Sequence, residues 1–344
     1  SPNCFGGLQL QTWFGSQATC GKRHLDRRNS QLRAGTWAKY DWCLFWVDIM
    51  ARQMLAQRDL NARTDWVAYA FVAAFTIPCF VFNVAPILFS AYLSFMKWGI
   101  FGPPRFIGLE NYREAFANDQ VRMAFKNVLL YGCIVVPGVI ALGLAAALYV
   151  HQRWPLSSFA RVCFFSPYVV SATVIGMVWV WLLDTQFGLI NHYLGILGIP
   201  DIPWLTSFHW SLIGVSIASI WWDMGLAFVL FLAALQDVPA DLNDAAEIDG
   251  ASAGQRFWYV TLPLLRPIIS MVLTLQLIST MRIFSQVYVM TDGGPASGST
   301  SVLYEIYRVA IRNQKFGLAA ALSMMLFAMI LVVTLINRKL VKER

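Results

Sequence analysis

Long stretches without a charged residue are the feature that most restricts how this chain can fold. Four such stretches cover residues 66–96, 127–150, 162–183 and 317–337. Each is close to or longer than the ~20 residues that cross the hydrocarbon core of a bilayer. Only 13% of the 344 residues are charged, against roughly 25% in an ordinary soluble domain. The pattern therefore predicts a lipid-embedded protein, because one aqueous core cannot hide this much apolar surface.

Two further apolar runs each contain one charge near the middle. Residues 209–235 include Asp223, and residues 268–290 include Arg282. Both runs remain long enough to span, and a span must be helical because every backbone polar group has to be satisfied internally within lipid. The sequence therefore predicts an all-α integral membrane protein with six transmembrane helices.

The predicted membrane domain covers residues 61–344. Residues 1–60 mix tryptophan, glycine and basic residues without a sustained period, and they are treated as an N-terminal extension of uncertain structure. Within it, residues 41–57 could form an amphipathic helix at the membrane interface. The alternative is an extended start, with Met50 or Met54 as the native first residue. Both interpretations stay open.

Several function classes lack support in the sequence. The formal net charge of +7 is not arranged in the basic and aromatic groove pattern of nucleic-acid binding. The four histidines and six cysteines show no metal-ligand spacing. No Gly-x-x-x-x-Gly-Lys-Ser/Thr phosphate cradle and no credible catalytic constellation occur. We therefore expect a protein that is not an enzyme and binds neither metal nor cofactor itself.

Lysine and arginine between the runs predict the orientation. With both termini in the cytoplasm, the inner segments carry slightly more basic residues than the outer ones. The middle outer loop, residues 184–208, carries none. The pattern favours a multi-pass protein with both termini cytoplasmic.

The segment 237–267, between the fourth and fifth runs, has the pattern of a compact helix, turn and helix. Pro239 and Asp241 suit a helix start, and residues 242–248 suit a short helix. Gly250 and Gly254 permit a sharp turn. A second amphipathic stretch is predicted over residues 257–262, ending at Pro263.

The same segment resembles the loop signature of binding-protein-dependent ABC importer permeases of the carbohydrate-uptake group. That signature is Glu-Ala-Ala, three residues, Gly, nine residues and Ile-x-Leu-Pro. This chain has Asp244-Ala245-Ala246, Gly250 and Val260-Thr261-Leu262-Pro263 at those spacings. Segments 106–112 and 317–323, and Thr-Asp-Gly-Gly-Pro at 291–295, also resemble elements of that family.

The resemblance implies the six-helix fold of a type I importer permease in a bacterial or archaeal cytoplasmic membrane. It implies four kinds of partner: a second permease, two ATPase subunits, an extracytoplasmic substrate-binding protein and membrane lipid, with ATP and Mg²⁺ held by the ATPases. The loop would insert into a cleft of the ATPase. Its coupling residues would be Asp244, Ala245, Ala246, Gly250, Leu262 and Pro263.

Asp223 and Arg282 are the charges to explain within the spans, because an ionisable group at membrane depth costs at least ~2.5 kcal/mol and usually faces a cavity or a partner. One hypothesis places both on a substrate path whose aromatic and hydrogen-bonding groups would suit a sugar. The alternatives are an Asp223–Arg282 ion pair or a contact with the second permease. The path candidates are Trp221, Trp222, Asp223, Gln276, Ser279, Arg282 and Gln286.

The predicted function is translocation of a carbohydrate, a di- or oligosaccharide, by alternating access. Two alternatives remain. The same machinery could import glycerol phosphate or a glycerophosphodiester, with Arg282 meeting the phosphate. A self-sufficient secondary transporter is less favoured, because neither repeated halves nor midplane ion sites are apparent.

Overall fold

The computed structural model describes residues 65–100, 102–152 and 155–342. The predicted extension 1–60 and the interfacial helix at 41–57 lie outside these residues, and the domain division stays a prediction. The α-helices are α1 (Asp65–Cys79), α2 (Ala85–Leu93), α3 (Glu110–Ala117), α4 (Asp119–His151), α5 (Ser157–Val169), α6 (Ala172–Leu182), α7 (Leu189–Ile196), α8 (Ser211–Gln236), α9 (Ala240–Ile248), α10 (Ala253–Arg256), α11 (Leu262–Met281), α12 (Ser285–Met290), α13 (Val302–Tyr307) and α14 (Phe316–Lys342).

Shorter elements join or interrupt these helices. Three π-helical segments cover Phe80–Val84, Phe257–Thr261 and Arg308–Arg312, and a 3₁₀ turn covers Pro295–Ser297. Strands β1 (Met96–Lys97) and β2 (Arg105–Phe106) form an antiparallel pair in which Met96 lies opposite Phe106. The described part of the chain is thus a helical protein with one small hairpin.

In the part of the chain that the structure describes, five continuous helical stretches are long and apolar enough to cross a membrane. They are Tyr69–Leu93, Asp119–His151, Ser211–Gln236, Ala253–Met281 and Phe316–Lys339. The pair α5 and α6 provides a sixth if the two helices count as one span. Six crossings therefore agree with the sequence prediction, but two of them differ from it in form.

The third predicted span is not one helix. α5 and α6 meet at an angle of 104°, because Val170 and Ser171 are extended (ψ 144° and 136°). The Val170 N–H bonds back only to Pro167 O, and Ser171 O accepts the first bond of the next helix from Ile175 N. Trp222 Nε1 donates 3.0 Å to Val170 O. The break is thus stabilised by a residue of another helix, which a charge count cannot reveal.

The fifth predicted span begins earlier and ends sooner than expected. A continuous helix runs over Ala253–Met281, so the stretch 257–262 does not end at Pro263. Proline lacks an N–H, and its ring clashes with the carbonyl four residues back. The chain widens into a π-turn there, with Leu262 N–H bonded to Phe257 O. The same device precedes Pro86, where Ala85 N–H bonds to Phe80 O.

The core lies where α4 packs against α8. Phe228 and Phe231 are fully buried within it. A methyl group on Gly143 would lie 2.8 Å from Ala227 Cβ, and one on Gly138 would lie 2.7 Å from Ile220 Cδ1. These glycines therefore allow two membrane helices to approach closely, as small residues do in helical bundles.

The segments that resemble family elements at 106–112 and 317–323 meet at one place. Asn111 Nδ2 donates to Ser94 O at 2.8 Å and to Met96 O at 2.9 Å. A methyl group on Gly317 would lie 1.9 Å from Met96 O. The start of α14 therefore packs directly on the chain between α2 and α3, and no side chain fits at residue 317.

Candidate functional site

A cavity of about 390 Å³ lies against α8, α11 and α12. Five of the seven predicted path residues line it: Trp222, Asp223, Ser279, Arg282 and Gln286. The sequence placed these residues on two separate runs, and the fold brings them to one space. A volume of this size falls within the ~300–1,000 Å³ range of small-molecule pockets.

Asp223 lies near the middle of α8, as predicted, and its residue is only 6% exposed. Among the described residues it has no salt-bridge or hydrogen-bond partner, and the Asp223–Arg282 ion pair that was considered as an alternative is not formed. Leaving a buried polar group unpaired is costly. Asp223 is therefore a carboxyl group directed at the cavity and open to a ligand.

Arg282 was predicted near the middle of a helix, and that prediction is wrong. It is the residue that ends α11, and its N–H bonds to Ser279 O at 3.0 Å. Its side chain is exposed. A cation at a helix C-terminus meets the negative end of the helix dipole. Arg282 and Ser279 thus border the cavity at the end of the long helix.

Two predicted path residues do not line the cavity. Gln276 is buried, and its Oε1 has no hydrogen-bond partner among the described residues. Trp221 is exposed on α8 and contacts Trp179 edge to face, with ring centroids 5.9 Å apart. The Trp221 ring thus packs against α6, whereas Trp222 lines the cavity.

Other residues that line the cavity were not predicted from the sequence. Tyr131 on α4 and Ala172 on α6 contribute from two further helices, and Phe284 contributes from the short link to α12. Tyr131 carries a hydroxyl in an otherwise charge-free run, which was an available signal. Nothing in the sequence singled out Ala172, because only the bend between α5 and α6 brings it to the cavity.

The loop 237–267 contains the predicted short helix, α9. Asp244 and Ala245 are exposed on it, and Ala246 is half-buried. Gly250 has φ +80°. Its N–H bonds to Glu247 O, and the Ala251 N–H bonds to Ala246 O at 2.9 Å. These two bonds form a Schellman motif, which requires the left-handed conformation that glycine adopts most readily.

The second arm of the loop is the first part of the Ala253–Met281 helix. Ser252 and Gln255 form a capping box that starts it. Gly254 lies within its first turn, so it is not part of the predicted sharp turn. Leu262 and Pro263 are half-buried inside the same helix, and Arg256 forms an ion pair with Glu247 that ties the two arms.

Several large apolar side chains of the loop are exposed beside its acidic residues. Ile248 is 87% exposed, and Trp258 and Tyr259 are also well exposed. Large exposed apolar groups beside polar ones mark surfaces that bind another protein or a membrane. The loop therefore presents a short helix, ended by the Schellman motif, with exposed apolar side chains next to Asp244 and Ala245.

The segment 291–295, which follows α12, forms a turn that side-chain hydrogen bonds hold to α13 and the π-helical segment after it. Arg312 donates to both carboxylate oxygens of Asp292, at 2.8 and 3.1 Å, and Tyr304 Oη donates to Asp292 Oδ1 at 2.9 Å. The Arg312 hydrogen bond in particular holds the pKa of Asp292 below its ordinary value. Burial, with the Asp292 contact, raises the pKa of Tyr304 to about 12.

Comparison with known proteins identifies related chains. Residues 139–343 match the family described as binding-protein-dependent transport system inner membrane component. The multiple sugar-binding transport system permease protein MsmF of Streptococcus mutans is 30% identical over 295 residues, covering 84% of this chain and 99% of that protein. The sn-glycerol-3-phosphate transport system permease protein UgpA of Pectobacterium atrosepticum is 28% identical over 284 residues, covering 82% and 96%.

A solved structure shares the fold. A chain of a bacterial ABC transporter involved in the import of the acidic polysaccharide alginate matches with a TM-score of 0.71 and 21% identity. The match covers 87% of this chain and 99% of that chain. The predicted permease fold is thereby confirmed.

Proposed function

Because the chain belongs to the family of binding-protein-dependent transport system inner membrane components, we propose that it is the permease subunit of an ATP-driven importer for a carbohydrate. The cargo would be a di- or oligosaccharide, and it would cross through the cavity beside Asp223. A binding protein would deliver it from outside. A second, related permease would complete the path.

A single helix joins the loop 237–267 to the cavity, and the proposed coupling mechanism depends on it. The second arm of the loop and one wall of the cavity are the same helix, Ala253–Met281, which is 29 residues long. At ~1.5 Å per residue it extends about 40 Å. Its first turn is tied to α9 through Arg256, and its far end carries Ser279 and Arg282. A displacement of α9 would therefore reach the cavity through one continuous helix.

We propose that two ATPase subunits supply that displacement, with ATP and Mg²⁺ held on the ATPases. Asp244, Ala245 and the exposed Ile248 would lie in the ATPase cleft, and the small alanine side chains would permit close contact. Nucleotide binding and hydrolysis would then shift the permease between outward-open and inward-open states, as alternating access requires. In this assignment the loop and both termini face the cytoplasm.

The chemistry of the cavity favours a neutral sugar. Asp223 can accept hydrogen bonds from hydroxyl groups, while Ser279 and Gln286 can donate and accept them. Trp222 uses its Nε1 on Val170 O, so its ring face is the part available to an apolar sugar face. The relative MsmF, named for multiple sugar binding, supports the same cargo class.

Glycerol phosphate or a glycerophosphodiester is the second candidate. The exposed Arg282 on the cavity and the relative UgpA favour it. Against it stands Asp223, which lines the same cavity without a cation partner among the described residues and would repel an anion in its ionised form. A self-sufficient secondary carrier remains the least favoured alternative.

Uptake into proteoliposomes distinguishes the two cargo classes. Asp223→Asn and Arg282→Gln are compared with wild type, using a neutral oligosaccharide and glycerol 3-phosphate. Loss of a charge-assisted hydrogen bond worth ~1.5–3 kcal/mol predicts roughly 10–100-fold weaker sugar uptake in Asp223→Asn. If the cargo is anionic, Asp223→Asn raises uptake and Arg282→Gln abolishes it. If a variant fails to assemble with its partner subunits, and shows no defect in uptake once assembled, the assignment of these residues to the path is contradicted.

Coupling to the ATPases is tested separately. Ala245→Trp fills the proposed contact with a bulky ring, and Ala117→Trp is the matched control on an exposed alanine at the end of α3. We expect only Ala245→Trp to abolish ATPase copurification and ATP-dependent uptake. Full uptake by the solitary chain would reject the importer and favour the secondary carrier.

A further inference from the structure

The helix α7 between α6 and α8 has an apolar face that no described residue covers. Ile190 and Leu194 pack on the main core, whereas Leu189, Tyr193 and Ile196 are exposed on the opposite side. Ile196 is 69% exposed, and Leu197, which follows the helix, is 75% exposed. α7 is therefore apolar on both sides, and its outer face consists of Leu189, Tyr193, Ile196 and Leu197.

Asn191 fixes the direction of this outer face. Its Nδ2 donates to Thr185 O at 3.2 Å and to Ile202 O at 2.9 Å, and its Oδ1 accepts from Trp204 Nε1 at 2.8 Å. Trp204 itself is buried in the main core. Because these hydrogen bonds join Asn191 to the packed side of α7, they fix the rotation of the helix about its axis. The apolar outer face of α7 therefore stays exposed.

α7 lies between two elements that are long and apolar enough to cross a membrane, the α5–α6 pair and α8. α6 ends at Leu182 and α8 begins at Ser211, so the segment between them lies at the ends of two membrane-crossing elements. Val174, Met177, Val178 and Trp181 form an exposed stripe on α6 at helical spacing. The outer face of α7 follows this stripe along the chain, with exposed Phe187 between them.

Charge and composition favour lipid over a protein partner. Residues 184–208 contain no lysine or arginine and only two acids, Asp184 and Asp201. Asp184 is engaged by the N–H groups of Gln186 and Phe187 at 2.8 and 2.9 Å. These backbone bonds lower the pKa of Asp184. Only Asp201 and the exposed His192 remain for an ionic protein contact, whereas Trp181 and Tyr193 suit the aromatic belt at a membrane surface.

We propose that α7 is an interfacial anchor whose outer face lies among the lipids of the leaflet opposite the loop 237–267. Tyr193, Ile196 and Leu197 would enter the boundary between headgroups and acyl chains, where interfacial helices bury ~5–10 Å. Because Asn191 and Trp204 join α7 to the core beside α8, the anchor fixes the depth of the outer end of the helix that carries Asp223.

Site-specific photocrosslinking tests the anchor. The full chain, with any subunits that copurify, is placed in nanodiscs of phosphatidylethanolamine and phosphatidylglycerol. The photoreactive residue p-benzoylphenylalanine replaces Tyr193 or Ile196, and it replaces Gln186 or Thr206 in matched controls at exposed polar positions of the same loop. Intact mass then identifies phospholipid adducts.

We expect lipid adducts at Tyr193 and Ile196 at least about fivefold above the controls, as an embedded apolar face requires. All four positions are exposed, and size-exclusion chromatography verifies folding before illumination. Adducts from Tyr193 and Ile196 to a protein chain would overturn the proposal and assign the face to a subunit contact. Lipid adducts no more frequent than in the controls would overturn it as well.

Discussion

Gly143 offers a quantitative test of how closely α4 and α8 pack. In Gly143→Ala the new Cβ would lie 2.8 Å from Ala227 Cβ and 3.2 Å from Phe228 N, whereas carbon atoms prefer about 3.5–4.0 Å. The helices must therefore separate by roughly 1 Å, and overpacking of this kind costs about 1–3 kcal/mol. The gain in helix propensity from glycine to alanine offsets at most ~1 kcal/mol.

Gly132→Ala is the matched control, because it lies on the same helix. Its Cβ would lie 3.6 Å from Thr280 Oγ1, an ordinary contact. Both variants gain the same helix propensity, so the difference between them isolates the clash. We expect Gly143→Ala to unfold at a midpoint lower than Gly132→Ala by about 2–12 °C, using roughly 2–4 °C per kcal/mol. The assay is a thermal melt of the detergent-solubilised chain, followed by size-exclusion chromatography. Equal midpoints would refute the close packing of α4 and α8.

Three further predictions concern the loops. Gly250→Ala strains a residue with φ +80° by about 1 kcal/mol and redirects α9, so ATP-dependent uptake should fall. Gly254→Ala, with open space around it, is the control and should retain uptake. Equal uptake by the two variants would contradict the Schellman assignment. Asn191→Leu leaves Trp204 Nε1 unpaired at a cost of about 1–3 kcal/mol, so hydrogen exchange over residues 189–204 should speed up. Unchanged exchange would contradict the view that the hydrogen bonds of Asn191 hold α7 in place. Asp292 has a folded-state pKa below its ordinary value. Its contribution to the free energy of unfolding is therefore complete above the ordinary pKa and is lost as pH falls through the folded-state pKa. In thermal melts, Asp292→Asn should lose less stability than wild type on acidification, by up to ~1 kcal/mol because the Asp292–Arg312 pair is exposed.

The sequence located the elements better than it described their ends. Charge-free runs found the apolar stretches because lipid excludes charge regardless of fold detail. They could not locate the break at Val170 and Ser171, which depends on Trp222 satisfying a freed carbonyl from another helix. They also misplaced the start of the fifth span, because the π-turn before Pro263 lets a helix continue through a residue that normally interrupts one.

The candidate site shows the same division. Asp223 and Arg282 stood out as charges within apolar runs, and both line the cavity. Their relation to each other was not predictable, because a pair forms only when backbone geometry brings the two groups together. Gln276 and Trp221 had suitable chemistry but the wrong direction, since the side on which a residue lies follows from how its helix is packed.

The sequence by itself determined the class of this protein, a membrane-embedded helical chain. It also determined the short helix and glycine turn of the loop, because Asp-Ala-Ala is followed by Gly at the spacing that such a turn requires. Composition and local spacing suffice for that, because the bilayer and the Schellman turn impose rules on each segment separately. Only the tertiary structure decided that the loop and the cavity share one helix, that Asp223 faces open space, and that α7 presents an uncovered apolar face. These properties depend on contacts between segments distant in the chain, and no local rule specifies them.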